Sequence, residues 1–333
     1  MTKLETMQIN PMLAGKVSEE KLELLWEDDN WVAEEKFDGS RYIMQIREGG
    51  NILTSRRNSV KTGQNVDKTG NVPHITGIKY PELYGTVIDG EITAPNKDFT
   101  NVLKIMGSLP EKAIEVQKEI GKAEYWVFDI LYYKGRDVQK EPYQIRRQFV
   151  YGVVEEMRKK SKEVMRVLMW EGNKKRKCYE DIIANGGEGI ILKNKFGIYE
   201  QDKRSHGWIK VKKTVTDDVV IMGFTEAKKW YAEPGTAGAD EIIYPNGRTT
   251  KFYDNGWIGA IKYGKYKEKE LVEIGQCSGV SDEMRAEFTN NQKKYIGKTM
   301  EIVAQLRFKD GGYRHGNFVR LRPDKHPKEC KEK

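Results

Sequence analysis

The first two thirds of the chain combine two hydrophobic periods. Apolar residues three and four positions apart predict helices over residues 18–27, where Ser18 is a suitable N-cap, and over residues 141–160. Extended segments are predicted at 31–36, 41–47, 85–93, 125–133, 189–193 and 207–213. Asp38 and Gly39 form a tight-turn signal between the first two strands, which is typical of a hairpin. This mixture predicts an α+β domain over residues 1–214.

The pattern changes after about Thr214. Short strands separated by Gly-rich turns follow one another, with one helical stretch over residues 281–295. Many short strands of this kind predict a small β-barrel, which we assign to a second domain at residues 215–333. Residues 227–256 form a polar, Gly-rich insertion between two of its strands, and loops of this length are usually functional or mobile.

Bulk composition adds limited constraints. The 58 Lys and Arg against 50 Asp and Glu give a net charge of +8, which weakly favours a polyanionic partner. No run of about 18 apolar residues exists, so no membrane span is expected. The N-terminus lacks the apolar core of a signal peptide, and the 3 cysteines include no CxxC pair. A reducing cytoplasm is the expected location.

The strongest local signal is the segment Lys-Phe-Asp-Gly-Ser-Arg at residues 36–41. Lys36 ends an apolar-flanked strand directly before a turn that carries an acid and a base, so its amine is a candidate nucleophile. Asp38 and Arg41 are expected to point into the same pocket. A lone lysine at a strand end is more often an ordinary surface residue, and the segment gains specificity from those that follow it.

The further candidate segments occur in a fixed order along the chain. They are Ser55–Asn58, Asp89–Glu91, Phe128–Asp129, Gly187–Lys193, Trp208–Lys213 and Arg320–Lys325. Each has a structural alternative when taken alone: the acids of the second segment alternate with apolar residues, as on the solvent face of a strand. Taken alone, Phe128 is most simply an aromatic residue of the core, and Arg320 and Arg322 are most simply solvated surface residues.

Together these segments resemble the covalent nucleotidyltransferase superfamily of DNA ligases, RNA ligases and mRNA capping enzymes, over residues 34–325. The resemblance implies a nucleotidyltransferase domain, an ATP-grasp-like ligase adenylation domain of antiparallel sheets and helices, followed by a small OB-fold β-barrel. Because little precedes residue 34, the chain looks like the minimal two-domain ATP-dependent DNA ligases of bacteriophages and some bacteria.

By this resemblance, ATP and Mg²⁺ are the cofactors and Lys36 forms a lysine-AMP intermediate. Lys210 and Lys212 would hold the α-phosphate as point charges. Glu188 would bind Mg²⁺, a hard cation, together with Asp89 or Glu91. In the alternative role for Glu91, its carboxylate binds the ribose hydroxyls.

The same resemblance assigns the remaining positions. Phe128 would stack on adenine and Glu34 would contact the adenine edge. Arg41 and Arg56 would bind phosphates through their forked donors, and Asp38 would help to position the 3′-terminal side of the nick. On the second domain, four tail residues would fold over the ATP site and orient pyrophosphate: Arg320, Arg322, Asp324 and Lys325.

Within the superfamily, a DNA ligase that acts as a monomer on nicked double-stranded DNA is the first prediction. Glu188 occupies a position where capping enzymes usually carry aspartate, and residues 128–135 and 271–279 resemble the DNA-ligase form. The missing zinc cysteines argue against the NAD⁺-dependent class. An mRNA capping guanylyltransferase or an RNA ligase is the alternative, and an inert nucleic-acid-binding protein is a third.

The insertion is the part of the sequence that this resemblance does not explain. It carries the basic and aromatic residues Lys228, Lys229, Trp230, Tyr231, Arg248 and Lys251, with the acids Glu233, Asp240 and Glu241. Such a mixture can grip a nucleic-acid backbone, and a mobile surface excursion is an equally good interpretation.

Overall fold

The computed structural model describes residues 7–59, 62–229, 249–308 and 311–332. The chain divides into two compact units, Met1–Val211 and Lys212–Lys333. Both units contain helices and sheets, so the predicted α+β class is confirmed.

Two sheets form the framework of the first unit. Its strands are β1 (Leu13–Gly15), β2 (Trp31–Lys36), β3 (Ser40–Ile46), β4 (Ile52–Asn58), β5 (Asn65–Asp67), β6 (Thr86–Thr93), β7 (Glu124–Tyr133), β8 (Arg136–Asp137), β9 (Val164–Arg166), β10 (Met169–Trp170), β11 (Gly189–Asn194) and β12 (Arg204–Lys212). Its helices are α1 (Glu19–Glu27), α2 (Pro73–Thr76), α3 (Phe99–Met106), α4 (Pro110–Ile120), α5 (Tyr143–Arg158) and α6 (Lys174–Ala184). One sheet has the order β1-β12-β11-β2-β10, and the other has β5-β4-β3-β6-β7-β8 with β9 paired to β7.

Most strand pairs are antiparallel, and β1–β12 and β7–β9 are parallel. A large apolar core packs helices α3, α4 and α5 against one face of the longer sheet. A smaller cluster lies between the two sheets, where Ile43 and Val87 of the longer sheet meet Trp208 of the shorter one. The polar groups of the candidate site surround this inter-sheet cluster.

The predicted hairpin at the Asp38-Gly39 turn is wrong, although both of its strands exist. β2 belongs to the shorter sheet and β3 to the longer one, so the chain crosses between sheets at residues 37–39. Gly39 is required at this crossing because a Cβ there would lie 2.3 Å from the carbonyl oxygen of Ile92 on β6. Local turn signals do not specify the pairing partner, which the packing of the two sheets decides.

The two helices predicted in the first domain are present, and the predicted N-cap of the first is observed. Ser18 caps α1 by accepting a hydrogen bond from the backbone of Lys21 at 3.4 Å. The helix predicted at residues 141–160 is observed as α5 and buries one apolar side against the longer sheet.

The second unit is built on a five-stranded sheet with the order β15-β14-β13-β16-β19. Its elements are β13 (Val215–Glu226), α7 (Lys251–Asp254), β14 (Ile258–Lys267), β15 (Glu270–Cys277), α8 (Asp282–Asn290), α9 (Gln292–Tyr295), β16 (Thr299–Ala304), β17 (Leu306–Arg307), β18 (Tyr313–Arg314) and β19 (Asn317–Leu321). Ser278, directly after β15, bridges Asn317 at the start of β19, so the two edge strands meet at one end. This connection brings the sheet round on itself, as a small barrel requires.

The helix predicted at residues 281–295 is two helices, α8 and α9, with Ser281 capping the first. Part of the predicted insertion is described: Lys228 and Lys229 follow β13, and Lys251 begins α7. Its other basic, aromatic and acidic residues, Trp230, Tyr231, Glu233, Asp240, Glu241 and Arg248, lie outside the described residues. Among the described helices, none is long and apolar enough to cross a bilayer.

Candidate active site

Alternation along the shorter sheet of the first unit sorts its side chains onto two faces. Trp31 and Ala33 of β2 pack with Ile190, Leu192, Ile209 and Val211 in one apolar core. Because strand side chains alternate, Glu34 and Lys36 lie on the opposite face, which is turned toward the inter-sheet cluster. On β12, Lys210 and Lys212 likewise lie on the face opposite Ile209 and Val211.

Lys36 and Glu188 form the central ion pair of this face. Lys36 Nζ lies 2.5 Å from Glu188 Oε2, although 152 residues separate them in sequence. The pairing of β2 with β11 places Gly189 directly opposite Lys36. Glu188 directly precedes Gly189, so its side chain lies beside the Lys36 amine. The Lys36 side chain is 25% exposed and that of Glu188 is 5% exposed. The amine is therefore accessible while its carboxylate partner is shielded.

Arg41 lies on β3 of the longer sheet and is held in place mainly by Asp89 on the neighbouring strand β6. Its Nε lies 2.8 Å from Asp89 Oδ1 and its Nη2 lies 2.5 Å from Asp89 Oδ2, a bidentate pair. Its Nη1 donates to the carbonyl of Met12 at 2.7 Å, and the Tyr199 hydroxyl donates to Asp89 Oδ2 at 2.6 Å. Burial disfavours the charge of Arg41, but Asp89 outweighs it and raises the pKa of the guanidinium. Asp89 is thus engaged by Arg41 and Tyr199, and its predicted role in binding Mg²⁺ stays a prediction.

Glu91 occupies the same strand face two residues beyond Asp89 and pairs in register with Arg41. Burial raises the pKa of Glu91 to about 7, against the opposing influence of Lys36 and Arg41. The neighbouring carboxylates of Glu188 and Asp89 add to the increase. Near neutral pH this carboxyl group therefore changes between its neutral and charged forms.

Glu34, the predicted adenine contact, is almost fully buried in a network of donors. The Tyr143 hydroxyl and Arg147 Nη1, the latter at 2.6 Å, both donate to its Oε1. Lys193 Nζ lies 2.6 Å from Oε2 and also donates to the carbonyl of Phe128 at 2.9 Å. The carboxylate is therefore fixed in orientation, and any adenine group that approaches it meets a pre-arranged polar surface.

Aromatic rings lie beside this network. The half-buried ring of Phe128 has its centroid 5.3 Å from the Arg41 guanidinium carbon and 5.0 Å from Lys193 Nζ. Trp208 packs edge-on against Phe128, with ring centroids 5.8 Å apart. The electron-rich face of an aromatic ring attracts cations within about 6 Å of its centroid. The predicted stacking of adenine on Phe128 stays a prediction.

A fully buried ion pair supports Phe128 from its own strand. Arg146 donates from Nε to Asp129 Oδ1 at 2.7 Å and from Nη2 to Oδ2 at 3.0 Å, and neither side chain is exposed. Burial opposes the charge of Asp129, but Arg146 outweighs it and lowers the pKa of the carboxyl group. Helix α5 is thereby fixed to β7 next to the predicted adenine surface.

The remaining predicted residues of the first unit lie at strand ends. Asp38 is half-buried in the crossing between β2 and β3, and Arg56 is exposed near the end of β4. The positions of both are compatible with their predicted roles, which stay predictions.

In the second unit, the tail segment, defined as residues 320–325, is held by acids of the same unit. Arg320 Nε donates to Glu301 Oε2 at 2.7 Å. Arg322 donates to Asp324 and to Asp218, and Lys325 Nζ donates to Asp218 Oδ2 at 2.6 Å. The predicted pyrophosphate ligands thus form one cluster of ion pairs.

Carboxylates suitable for a hard cation are present in the first unit. Within the described residues, no cluster of three or more His, Cys, Asp or Glu side chains forms a ready metal site. Glu188 and Glu91 nevertheless influence each other electrostatically, and the cations Lys36 and Arg41 also act on Glu91. The carboxylate oxygens of Glu188 and Glu91 suit Mg²⁺, which usually takes one or two carboxylates plus phosphates and water.

Sequence reasoning assigned no role to four residues that shape the site: Tyr143, Arg147, Lys193 and Tyr199. Lys193 follows the apolar run Ile-Ile-Leu within β11, and a lysine in such a position is a weak signal of a buried cation. Tyr199 carries no comparable signal, because its contact with Asp89 spans 110 residues.

Comparison with known proteins gives one family match. Residues 11–212 match a family described as "ATP dependent DNA ligase domain". DNA ligase 2 of Methanosarcina acetivorans is 27% identical over 89% of this chain and 52% of its own length. The DNA ligase of Archaeoglobus fulgidus is 30% identical over 94% of this chain and 55% of its own. The chain therefore spans about half the length of these relatives.

A relative of similar length also matches. The SPbeta prophage-derived DNA ligase-like protein LigB of Bacillus subtilis is 26% identical, over 80% of this chain and 90% of its own. Among solved structures, one called Pmar-Lig_Pre has a TM-score of 0.66 at 19% identity, over 95% of this chain and 68% of its own. One described as a minimal-scaffold Lig E DNA ligase has a TM-score of 0.61 at 16% identity, over 95% and 100%. At these identities the structures share the fold with this chain.

Proposed function

The chain belongs to the family of ATP-dependent DNA ligases, and on that premise we propose that it seals nicks in duplex DNA through a lysine-AMP intermediate on Lys36. The observation that carries the proposal is the ion pair between Lys36 Nζ and Glu188 Oε2 at 2.5 Å. A partly accessible amine beside a shielded carboxylate is the arrangement that a covalent nucleotidyl transfer needs.

In the first step the ammonium group of Lys36 loses a proton to solvent, and the free amine attacks the α-phosphorus of ATP. A phosphorus–nitrogen bond forms, and the bond to the bridging oxygen of pyrophosphate breaks. Glu188 Oε2 orients the amine and lies within proton-transfer distance of it. Lys210 and Lys212 neutralise the α-phosphate oxygens, which carry the charge of the transition state.

Base recognition rests on the pocket beside Phe128. The adenine ring stacks on Phe128, and its edge contacts Glu34, which Tyr143, Arg147 and Lys193 hold in place. Arg41, which Asp89 holds in place, and Arg56 bind nucleotide or nucleic-acid phosphates.

Mg²⁺ is the proposed cofactor, held by Glu188 and Glu91. When bound, the ion offsets the negative charge of the reacting phosphates. Glu91 contributes as a carboxylate only when it is charged, so its pKa of about 7 couples metal binding to pH. Its alternative role at the ribose hydroxyls also uses the charged form.

The later steps transfer AMP to the 5′-phosphate at the nick, after which the 3′-hydroxyl attacks and releases AMP. Asp38 helps to position the 3′ side. The second unit acts as an oligonucleotide-binding barrel, and its tail residues Arg320, Arg322, Asp324 and Lys325 orient pyrophosphate in the first step. We place the functional domain boundary at residues 214–215, with a monomer acting on DNA in the cytoplasm.

A gel assay tests the proposal most simply. The chain is incubated with a nicked duplex that carries a labelled 5′-phosphate, with ATP or GTP and Mg²⁺, and with DNA or RNA in each strand. We expect sealing of the all-DNA nick with ATP. Preference for GTP would instead support a capping guanylyltransferase, and sealing confined to RNA strands would support an RNA ligase.

A further inference from the structure

One acid of the second unit holds two cations of the tail segment at once. Asp218 lies on β13 and accepts from Arg322 Nη1 at 3.0 Å and from Lys325 Nζ at 2.6 Å. The Asp218 side chain is 14% exposed, so water screens these pairs less than it would on an open surface. Motif reasoning did not single out Asp218, which precedes the tail by about 100 residues.

The strand register explains why the tail meets this acid. Asp218 on β13 pairs with Glu301 on β16, and Glu301 pairs with Arg320 on β19. Residues directly opposite each other in adjacent strands share a face, so the three side chains form one row across the sheet. Two acids next to each other in a row repel, and the cations of the tail segment offset that repulsion.

The pairing leaves donors for an incoming anion. Lys325 has three N–H donors, one of which is given to Asp218 Oδ2. Arg322 gives Nε and Nη2 to Asp324 and Nη1 to Asp218. Because Asp218 Oδ2 is 2.6 Å from Lys325 Nζ and 3.3 Å from Arg322 Nη1, the two cationic atoms are at most about 6 Å apart. The shared carboxylate thus keeps two like charges close together.

We infer that Asp218 is a positioning residue for adenylylation, which holds Arg322 and Lys325 as a pre-arranged pair for the pyrophosphate of ATP. This inference rests on the proposed function. Asp218 acts through the two cations and does not touch the nucleotide. Without its charge the two cations repel each other and separate, so the pyrophosphate must bring them together again.

The test separates the first step from the last. Asp218→Asn and Asp218→Glu are compared with the unaltered chain for the rate of enzyme–AMP formation over a range of ATP concentrations. The same proteins then seal a nicked duplex that already carries AMP on its 5′-phosphate, without ATP. Glu287→Gln is the matched control, because Glu287 also holds a cation of this unit, Lys294, at 2.9 Å.

We expect Asp218→Asn to slow enzyme–AMP formation at least about tenfold and to raise the KM for ATP, as misplaced binding groups do. Sealing of the pre-adenylylated nick should stay within about twofold, which also shows that the variant is folded. Asp218→Glu keeps the charge but moves the carboxylate by one methylene, so an intermediate loss in the first step is expected. Glu287→Gln should change neither step.

Three results would overturn the inference. Equal loss in both steps by Asp218→Glu, the variant that keeps the charge, indicates a role in folding alone. Full activity of Asp218→Glu indicates neutralisation without positioning, and faster adenylylation by Asp218→Asn indicates that the acid competes with ATP for the tail. Failure of the unaltered chain to form any AMP adduct is a separate outcome, which contradicts the proposed function itself.

Discussion

Glu91 makes the stability of the chain depend on pH in a direction that the structure fixes. Its pKa rises from an ordinary 4.5 to about 7 because the folded chain buries it beside Glu188 and Asp89. A carboxyl group with a raised pKa in the folded state binds its proton more tightly there than in the unfolded chain. The protonated Glu91 carboxyl group therefore contributes its full stabilisation of the folded state below pH 4.5, and this contribution declines as the pH rises through 7.

The magnitude follows from the pKa change. Each unit corresponds to about 1.4 kcal/mol, so the free energy of unfolding loses up to about 3 kcal/mol between pH 4.5 and pH 8 through this group alone. Glu91→Gln does not titrate, so the stability difference between wild type and variant isolates the effect. Urea unfolding followed by intrinsic tryptophan fluorescence, at half-unit pH steps, measures that difference.

A control of opposite sign is available in the same unit. Burial opposes the charge of Glu163, but its own backbone amide and Lys122 outweigh it and lower the pKa of the carboxyl group. Glu163→Gln should therefore lose stability relative to wild type above pH 4.5, and this difference should shrink as the pH falls further. A stability difference for Glu91→Gln that is flat between pH 4.5 and pH 8 would refute the assigned environment of Glu91.

Three further outcomes are expected. Asp129→Asn should lower the free energy of unfolding by about 3 kcal/mol, because it leaves the buried Arg146 without its counter-charge; urea unfolding checks this, and a loss below about 1 kcal/mol would contradict it. Arg320→Ala and Lys325→Ala should each slow enzyme–AMP formation far more than sealing of pre-adenylylated DNA, and equal losses in quench-flow assays of the two steps would argue against a pyrophosphate role. Binding to nicked duplex should weaken steeply between 50 and 200 mM salt, by about tenfold or more, and a fluorescence-anisotropy titration that shows no salt dependence would exclude a phosphate-backbone clamp.

The elements that the sequence predicts well are those whose signals are local. The strand at 31–36 and the cap Ser18 are found where periodicity and capping chemistry place them. Helices α3 and α4 were not predicted, although Asp98 caps the first and Pro110 begins the second. These are short elements whose apolar faces are completed by the sheet that they cover, so periodicity alone shows them weakly.

Pairings between distant segments are what the sequence does not determine. The Asp38-Gly39 turn predicts a hairpin, but β2 pairs with β10 and β11 while β3 pairs with β4 and β6, so the two strands enter different sheets. Resemblance to a family assigned Lys36 and Glu188 to one site, whereas the roles of Tyr199 and Asp218 depend on contacts more than 100 residues apart that no local pattern records.

The central claim is that the Lys36 amine becomes covalently attached to AMP. Intact-mass measurement after incubation with ATP and Mg²⁺, followed by peptide mapping, tests it directly. We expect a single AMP adduct on Lys36, absent from Lys36→Ala and also from Lys36→Arg, which keeps the positive charge beside Glu188 but has no nucleophilic amine. An adduct of undiminished yield on Lys36→Arg, or one mapped to another residue, would contradict the account.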